Sequence, residues 1–556
     1  MKKLCLILML CLLLCICLAG VSAAETTIGT ADELVALMQD ASKWSGDYTL
    51  TADINLAGKA QTPIGSYAAP FTGKFDGAGH TVSGLSISSE PVAGLFGVIE
   101  NATVKGLTVK GSVTNLFEAE HAETKVDEKY PATGGIVAVV LSGCRIENCV
   151  SDVKCNAMTS GNCGDMVGIV HNFGEKNVWI EGCKSYGSAS STYGNCGAML
   201  GRIYIKTAAK DGCVVRDCTN FADIELRSED RCRVGGIVAY VRTEMGQIRI
   251  EKCENKGIIA GSNSFETGSN ITYAGGIAGR CEVTGDWTSS LVISDCTNSG
   301  AIRSGSVGGG ITAYISRGEA CGQDVTIVKN CVNNAKVAGP YYAGGIVGYT
   351  TAKASLLEVS RIEKCTNSGA VDGGSCAGGL MGQQDGFSIL ASTTTGKVSG
   401  SGIVGAVSGK VGGSVVISVK DTTYAPDAAE NAFGTVGDIA DVGGATPIGG
   451  APAPATEAVE TTAVETTAVE TTAVETTAAE TEAAETTAAA ETVAAVAETV
   501  TPAETEAPAE SAPQTEDAAE TAAAPAVPVG LIVAIAAAVL VIAALGVVLF
   551  KMKKHG

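Results

Sequence analysis

The 556-residue chain has only four histidines, His80, His121, His171 and His555, and no HExxH pair that would hold zinc from one helix. It contains no CxxC pair, no DxDxDG loop, no phosphate-binding glycine loop and no Gly-x-Ser-x-Gly turn. The acids Asp165, Asp217, Asp295 and Asp324 are dispersed singly. These absences predict no catalytic residues, no metal site and no cofactor. Aromatic residues are only 5%, so any core must be largely aliphatic. Positive charge is also scarce, with 38 Lys and Arg against 59 Asp and Glu. The net charge of −21 excludes attraction to nucleic acid phosphates. The deficit is local: residues 451–526 hold 16 of the acids and no Lys, Arg, Gly, Cys or aromatic residue. Such a segment cannot bury a core.

What is present begins at the ends. The opening MKKLCLILMLCLLLCICLAGVSAAE sets Lys2 and Lys3 before an apolar run from Leu4 to Leu18, with small residues at 21–24. That order predicts a secretory signal peptide over 1–24. Residues 529–550 are uncharged and are followed by Lys551, Lys553 and Lys554. A bilayer core needs about 20 such residues in a helix, and trailing lysines favour the cytoplasm. A single membrane-spanning helix is predicted at 527–550, with a basic cytoplasmic tail at 551–556. Ahead of it, the AVETT repeats predict a disordered acidic stalk over 446–526. Residues 25–445 would then lie outside the cell.

Within that region one phrase recurs seven times: IENCVS (146–151), IEGCKS (180–185), VRDCTN (215–220), IEKCEN (250–255), ISDCTN (293–298), VKNCVN (328–333) and IEKCTN (362–367). The cysteines are spaced by 34, 35, 35, 43, 35 and 34 residues, the long interval marking an insertion around 262–270. A second phrase, GGIVG and its variants, keeps the same period from 134 to 382. Ile or Val stands six residues after the cysteine at Ile224, Ile259, Ile302, Val337 and Val371.

A sustained period of this size marks a repeat architecture. Short β-branched runs bounded by Gly, Asn and Ser are strand chemistry, and no repeat holds helical spacing. The prediction is an all-β chain, a parallel β-helix solenoid of about 8–10 coils, with three strands per coil. TADELVALMQDA (30–41) predicts an N-terminal helical cap, in which Thr30 and Glu33 form a capping box and Leu34, Leu37, Met38 and Ala41 share a face. Beyond Gly382 the pattern loosens, with 400–420 reading as a last coil or two before an irregular end near 445. Cys149, Cys183, Cys218, Cys253, Cys296, Cys331 and Cys365 form one structural ladder; Asn220, Asn255, Asn298, Asn333 and Asn367 form another. The asparagines are expected at a left-handed turn, bonded coil to coil. The cysteines read either as buried thiols or as cross-coil disulfides. Tyr240, Tyr314 and Tyr349 each stand five residues after the first glycine of their phrase. They are the candidate ligand-binding residues, an aromatic stripe able to stack on sugar rings or on itself. Arg231 and Arg233 read as a solvated edge.

Residues 46–111 resemble the opening of bacterial cell-surface proteins with GLUG motifs. GLFG (94–97) and the GGIVG phrases carry the likeness, which extends over about residues 25–420. The resemblance implies a parallel β-helix on the cell surface, adhesin-like in role. The family also supplies segments of some immunoglobulin-A-cleaving metalloproteases, whose HExxH is absent here. The expectation is a monomeric, single-pass surface protein that is not an enzyme. It would display loops to a host or matrix glycan or protein, or to another cell. A polysaccharide-active enzyme and an envelope spacer without a specific ligand are the alternatives.

Overall fold

The computed structural model divides after Thr461. It describes residues 26–448 of the first unit, apart from 118–129, 158–160, 192–193, 210, 229–231, 264–270, 286–287, 319–325, 353–359, 413–416 and 438–439. The segments predicted as signal peptide and membrane helix, and the stalk beyond residue 448, lie outside the described residues. Among the described residues no helix is long and apolar enough to cross a membrane.

Strands recur along the whole described chain, and every pairing between them is parallel. The circuit through Cys296 shows the plan. It runs Ser290–Ser294, Thr297–Asn298, Ile302–Ser304, Val307–Gly309 and Thr312–Arg317. Each strand pairs with its equivalent one period earlier and one period later, so these five strands belong to five stacked sheets, numbered first to fifth in this order. The expectation of three strands per coil is corrected to five in the six circuits that include a third-sheet strand. The glycine-pair phrase, read as a single strand, is a corner: Gly309 ends a fourth-sheet strand and Thr312 begins a fifth-sheet strand.

Among the described residues ten circuits carry strands of the first, second, fourth and fifth sheets, within the about 8–10 coils expected, although the cysteine phrase marks only seven, and partial circuits at the ends lengthen the first sheet to 14 strands. The extra circuits were hidden because Leu107, Ser392 and Thr422 hold the ladder position there instead of cysteine. Parallel pairing also continues to Ala445–Pro447, past the irregular end expected near 445.

The inward column of the first sheet explains the repeated Ile. Phe75, Val104, Ile146, Ile180, Val215, Ile250, Ile293, Val328, Ile362 and Ile389 lie in unbroken register, all buried. Each such side chain contributes about 1.5–3 kcal/mol by leaving water. The fourteen described cysteines are buried free thiols. Each ladder thiol lies between the carbonyl two residues before it and one of the preceding circuit, as Cys296 does between Ser294 at 3.2 Å and Ile250 at 3.6 Å. Burial pushes the Cys253, Cys296 and Cys331 thiols well above the ordinary range. They behave as small apolar groups.

The left-handed turn lies one residue before the cysteine, not two after it. Asn148, Asp217, Lys252, Asp295, Asn330 and Lys364 all have φ of 53–57°. The ladder asparagines sit instead on two-residue strands, buried, with their amides joined end to end. Asn220 donates to Asn255 at 2.8 Å, Asn255 to Asn298 at 2.8 Å, Asn298 to Asn333 at 2.7 Å and Asn333 to Asn367 at 2.7 Å. The second proton of each amide goes to the carbonyl two residues on, as Asn298 does to Gly300 at 3.0 Å.

This ladder dictates the glycine corner opposite. A Cβ on Gly310 would stand 2.0 Å from the Gly345 carbonyl oxygen and 2.5 Å from the Asn333 Cγ; Gly276 is crowded in the same way by Gly310 and Asn298. The smaller Ser151 also meets a glycine, since a Cβ on Gly135 would stand 2.8 Å from its Oγ, while Ser151 and Ser185 both donate to the corner residue Asp165. Asp165 at this corner is fully buried. It accepts from the Ser151 hydroxyl at 2.6 Å, Ser185 hydroxyl at 2.6 Å, Gly187 N–H at 2.9 Å and Val153 N–H at 3.1 Å. Burial pushes its pKa up to about 6 despite these four bonds.

The cap is a helix over Ala31–Met38, shorter than the 30–41 expected, with the Thr30–Glu33 capping box formed. Leu34, Leu37 and Met38 are buried, but Ala41 is exposed. The helix stops because Asp40 caps a separate 3-10 turn through the Ser42 N–H.

Candidate functional site: an outer seam of tyrosine and arginine

Alternation along a strand sends every second residue of the fifth sheet outwards. In register this outer column reads Arg202, Tyr240, Arg280, Tyr314, Tyr349, Gln383 and Lys410. The fourth sheet carries a second column, Arg233, Tyr273, Val307, Tyr342, Cys376 and Ile403. Ring contacts join the two columns into one seam.

At one end the seam satisfies itself. Arg202 is 1% exposed and lies 4.8–4.9 Å from the rings of Tyr130, Tyr204 and Tyr240. Arg233, also 1% exposed, lies 4.4 Å from the other partner ring, Tyr240. The expectation of a solvated edge at Arg233 is thus corrected, while Arg231 falls outside the described residues. Such cation–ring contacts strengthen when water is excluded. Tyr240 donates to Glu282 at 2.6 Å and Tyr204 to Glu244 at 2.8 Å. Arg242 bonds Glu244 at 2.6 Å, and Arg280 pairs with Glu282. Burial pushes Glu244 up, but the Tyr204 hydroxyl and Arg242 outweigh it and hold the carboxyl below its ordinary range.

The other end is different. Tyr314 and Tyr349 have ring centroids 5.3 Å apart, and Tyr342 stacks on Tyr349 at 4.9 Å and 20°. The Tyr314 hydroxyl meets Thr351 at 2.8 Å. No ring follows in register: Gln383 and Lys410 succeed Tyr349, while Cys376 and Ile403 succeed Tyr342. Asp385 lies near enough for its charge to act on Tyr349, and Lys410 acts on Asp385. Burial raises the Asp385 pKa, with Lys410 pulling the other way. One carboxylate oxygen of Asp385 is buried without a hydrogen-bond partner.

Of the three tyrosines expected to face a ligand, Tyr314 and Tyr349 are adjacent and half-buried, but Tyr240 is 1% exposed. It is walled by two guanidinium groups, so the expectation for Tyr240 is corrected to a structural role. Arg202, Arg280, Arg233, Tyr273 and Tyr342 were missed. The signal was available. Arg202 and Arg280 stand at the same offset from their glycine phrase as the three tyrosines, and Arg233, Tyr273 and Tyr342 stand two residues before it. Among the described residues no group of three or more His, Cys, Asp or Glu is arranged to hold a metal.

Residues 339–372 match the family model for the GLUG motif. They run from the end of one third-sheet strand to the corresponding strand of the next circuit, one full turn of the stack. The chain carries a GLUG motif. The GLUG circuit contains both Tyr342 and Tyr349. No curated protein matches the chain. A solved structure described as a putative immunoglobulin A1 protease from Bacteroides ovatus is 18% identical, over 51% of this chain and 78% of that one, with a TM-score of 0.39.

Proposed function

We propose that the protein is a cell-surface, membrane-anchored β-helix that binds a ligand or another surface through outward side chains and loops. One observation carries this reading. Inward columns stay apolar from circuit to circuit, mostly Ile and Val, whereas the outward column passes among Arg202, Tyr240, Arg280, Tyr314, Tyr349, Gln383 and Lys410. A stack that served only as a spacer has no need of the open end of this column, where polar side chains from Tyr349 to Lys410 are not spent on one another. The signal-like N-terminus, the acidic stalk and the apolar segment at 527–550 support a place outside the cell. Cells carrying the chain should adhere to immobilised glycans, mucins or matrix proteins more strongly than a deletion strain. Equal adherence across such a panel would remove the reading.

A polysaccharide-active enzyme is the second reading, favoured by the convergence of Glu244, Glu282, Arg242 and Arg280. These acids are held as ion-pair partners, and Glu244 is held ionised. That suits structure better than proton donation. Release of reducing ends or unsaturated sugars by the full-length protein would reverse the order of the two readings.

A further inference from the structure

We propose that the open end of the seam, formed by Tyr342, Tyr349, Gln383, Asp385 and Lys410, is a binding subsite for a sugar ring. The inference rests on the ligand-binding reading above and names the ligand class.

The argument is the contrast between the two ends. Around Tyr240 the phenols, guanidiniums and carboxylates are spent on one another. At the other end five polar side chains gather with no such exchange. Among the described residues no hydrogen bond or ion pair joins the Tyr342 hydroxyl, the Tyr349 hydroxyl, the Gln383 amide, the Asp385 carboxylate or the Lys410 ammonium to another protein group. Only the backbone of Asp385 is engaged, through the Thr350 hydroxyl at 3.0–3.1 Å. A buried carboxylate oxygen without a donor is costly, and the second Asp385 oxygen, which is not buried, is the one placed to accept from a ligand hydroxyl.

The chemistry of the set selects the ligand. Two stacked tyrosine rings end the aromatic column, and the residues that follow them in register, Gln383 and Cys376, bring no further ring. An apolar C–H face of a pyranose fits such a surface. Asp385 and the Gln383 carbonyl accept hydrogen bonds, while Lys410, the Gln383 amide and the phenols donate them. Vicinal sugar hydroxyls both give and take, so they match a mixed set. A purely apolar segment would leave these groups unpaired, and a phosphate would meet the Asp385 charge.

The test uses full-length protein in detergent against immobilised oligosaccharides containing neutral hexose, N-acetylhexosamine or uronic acid. Binding to at least one is expected. Tyr349→Ala and Asp385→Asn should each weaken it about tenfold or more. Tyr349→Phe keeps the ring and should lose less than Tyr349→Ala. Tyr186→Ala, just after the second-sheet strand Lys184–Ser185, should bind as the parent does. Thermal unfolding by circular dichroism separates lost binding from lost fold. If sugars bind but the Tyr349 and Asp385 variants retain full affinity with unchanged unfolding, the subsite is overturned and the display reading stands. If no sugar binds, the carbohydrate assignment is overturned, even where cells carrying the chain still adhere to protein surfaces.

Discussion

At the scale of single residues, the stack's interior is governed by pairwise fit between a ladder position and the corner facing it. Glycine stands at the corners that face Asn255, Asn298, Asn333 and Asn367. Asp165 is the informative exception because it carries an ionisable group into that space. Its folded-state pKa of about 6 lies above its ordinary value of 3.8. The folded state therefore holds the proton more tightly than the unfolded chain. The stability this contributes is fully present below pH 3.8 and is lost as pH rises through about 6. A shift of about two units corresponds to roughly 3 kcal/mol. Unfolding free energies of the parent and of Asp165→Asn should therefore diverge from pH 4 to pH 7, the parent losing about 2–3 kcal/mol relative to the variant. A difference that stays flat over that window would mean that the carboxyl does not titrate there.

At the scale of elements, the corner and the ladder strand act as one unit. Gly310→Ala forces a methyl against the Gly345 carbonyl and Asn333, an overpacking that costs about 1–3 kcal/mol. Part of this strain is with the asparagine side chain, so the same substitution should cost less in an Asn333→Ser background. Denaturant unfolding of the two single variants and the double variant closes the cycle, and additive costs would uncouple corner from ladder. This coupling also explains what the sequence showed and what it concealed. The period, the strand chemistry, the inward Ile and Val and the bonded asparagines were all legible, because each is a local choice repeated in the same environment. The corner was not: GGIVG has the composition of one strand, and its bend comes from contacts about 35 residues away in the next circuit. The seam was half legible. Tyr314 and Tyr349 stood out because two aligned letters are identical. Arg202 and Arg280 occupy the same column, but a guanidinium flanked by rings does not look like a tyrosine in a string of letters.

At the scale of the whole molecule, circuits joined only to their neighbours should be removable one at a time, provided that a whole number is removed. Residues 297–331 are one circuit, running from the residue after Cys296 through Cys331. Thr297 is in register with Val332, so deleting them joins Cys296 to a residue that already occupies the lost position. The neighbours then meet with matched faces. Asn255 faces Asn333, and the Ile259 strand faces Val337, because Asn298 and Ile302 had stood between them in the same columns. On the outer face Arg280 lies against Tyr349 instead of Tyr314, another contact between a cation and a ring. The shortened chain should unfold in a single cooperative transition at a somewhat lower midpoint, since one interface is lost. Deleting only 297–314 brings a fifth-sheet strand under a second-sheet strand and sets outward residues over inward ones. That chain should fail to fold. Circular dichroism of the two deletions side by side decides the matter. Equal damage from both would show that the circuits are not equivalent layers, and would separate the repeated phrase from the repeated geometry.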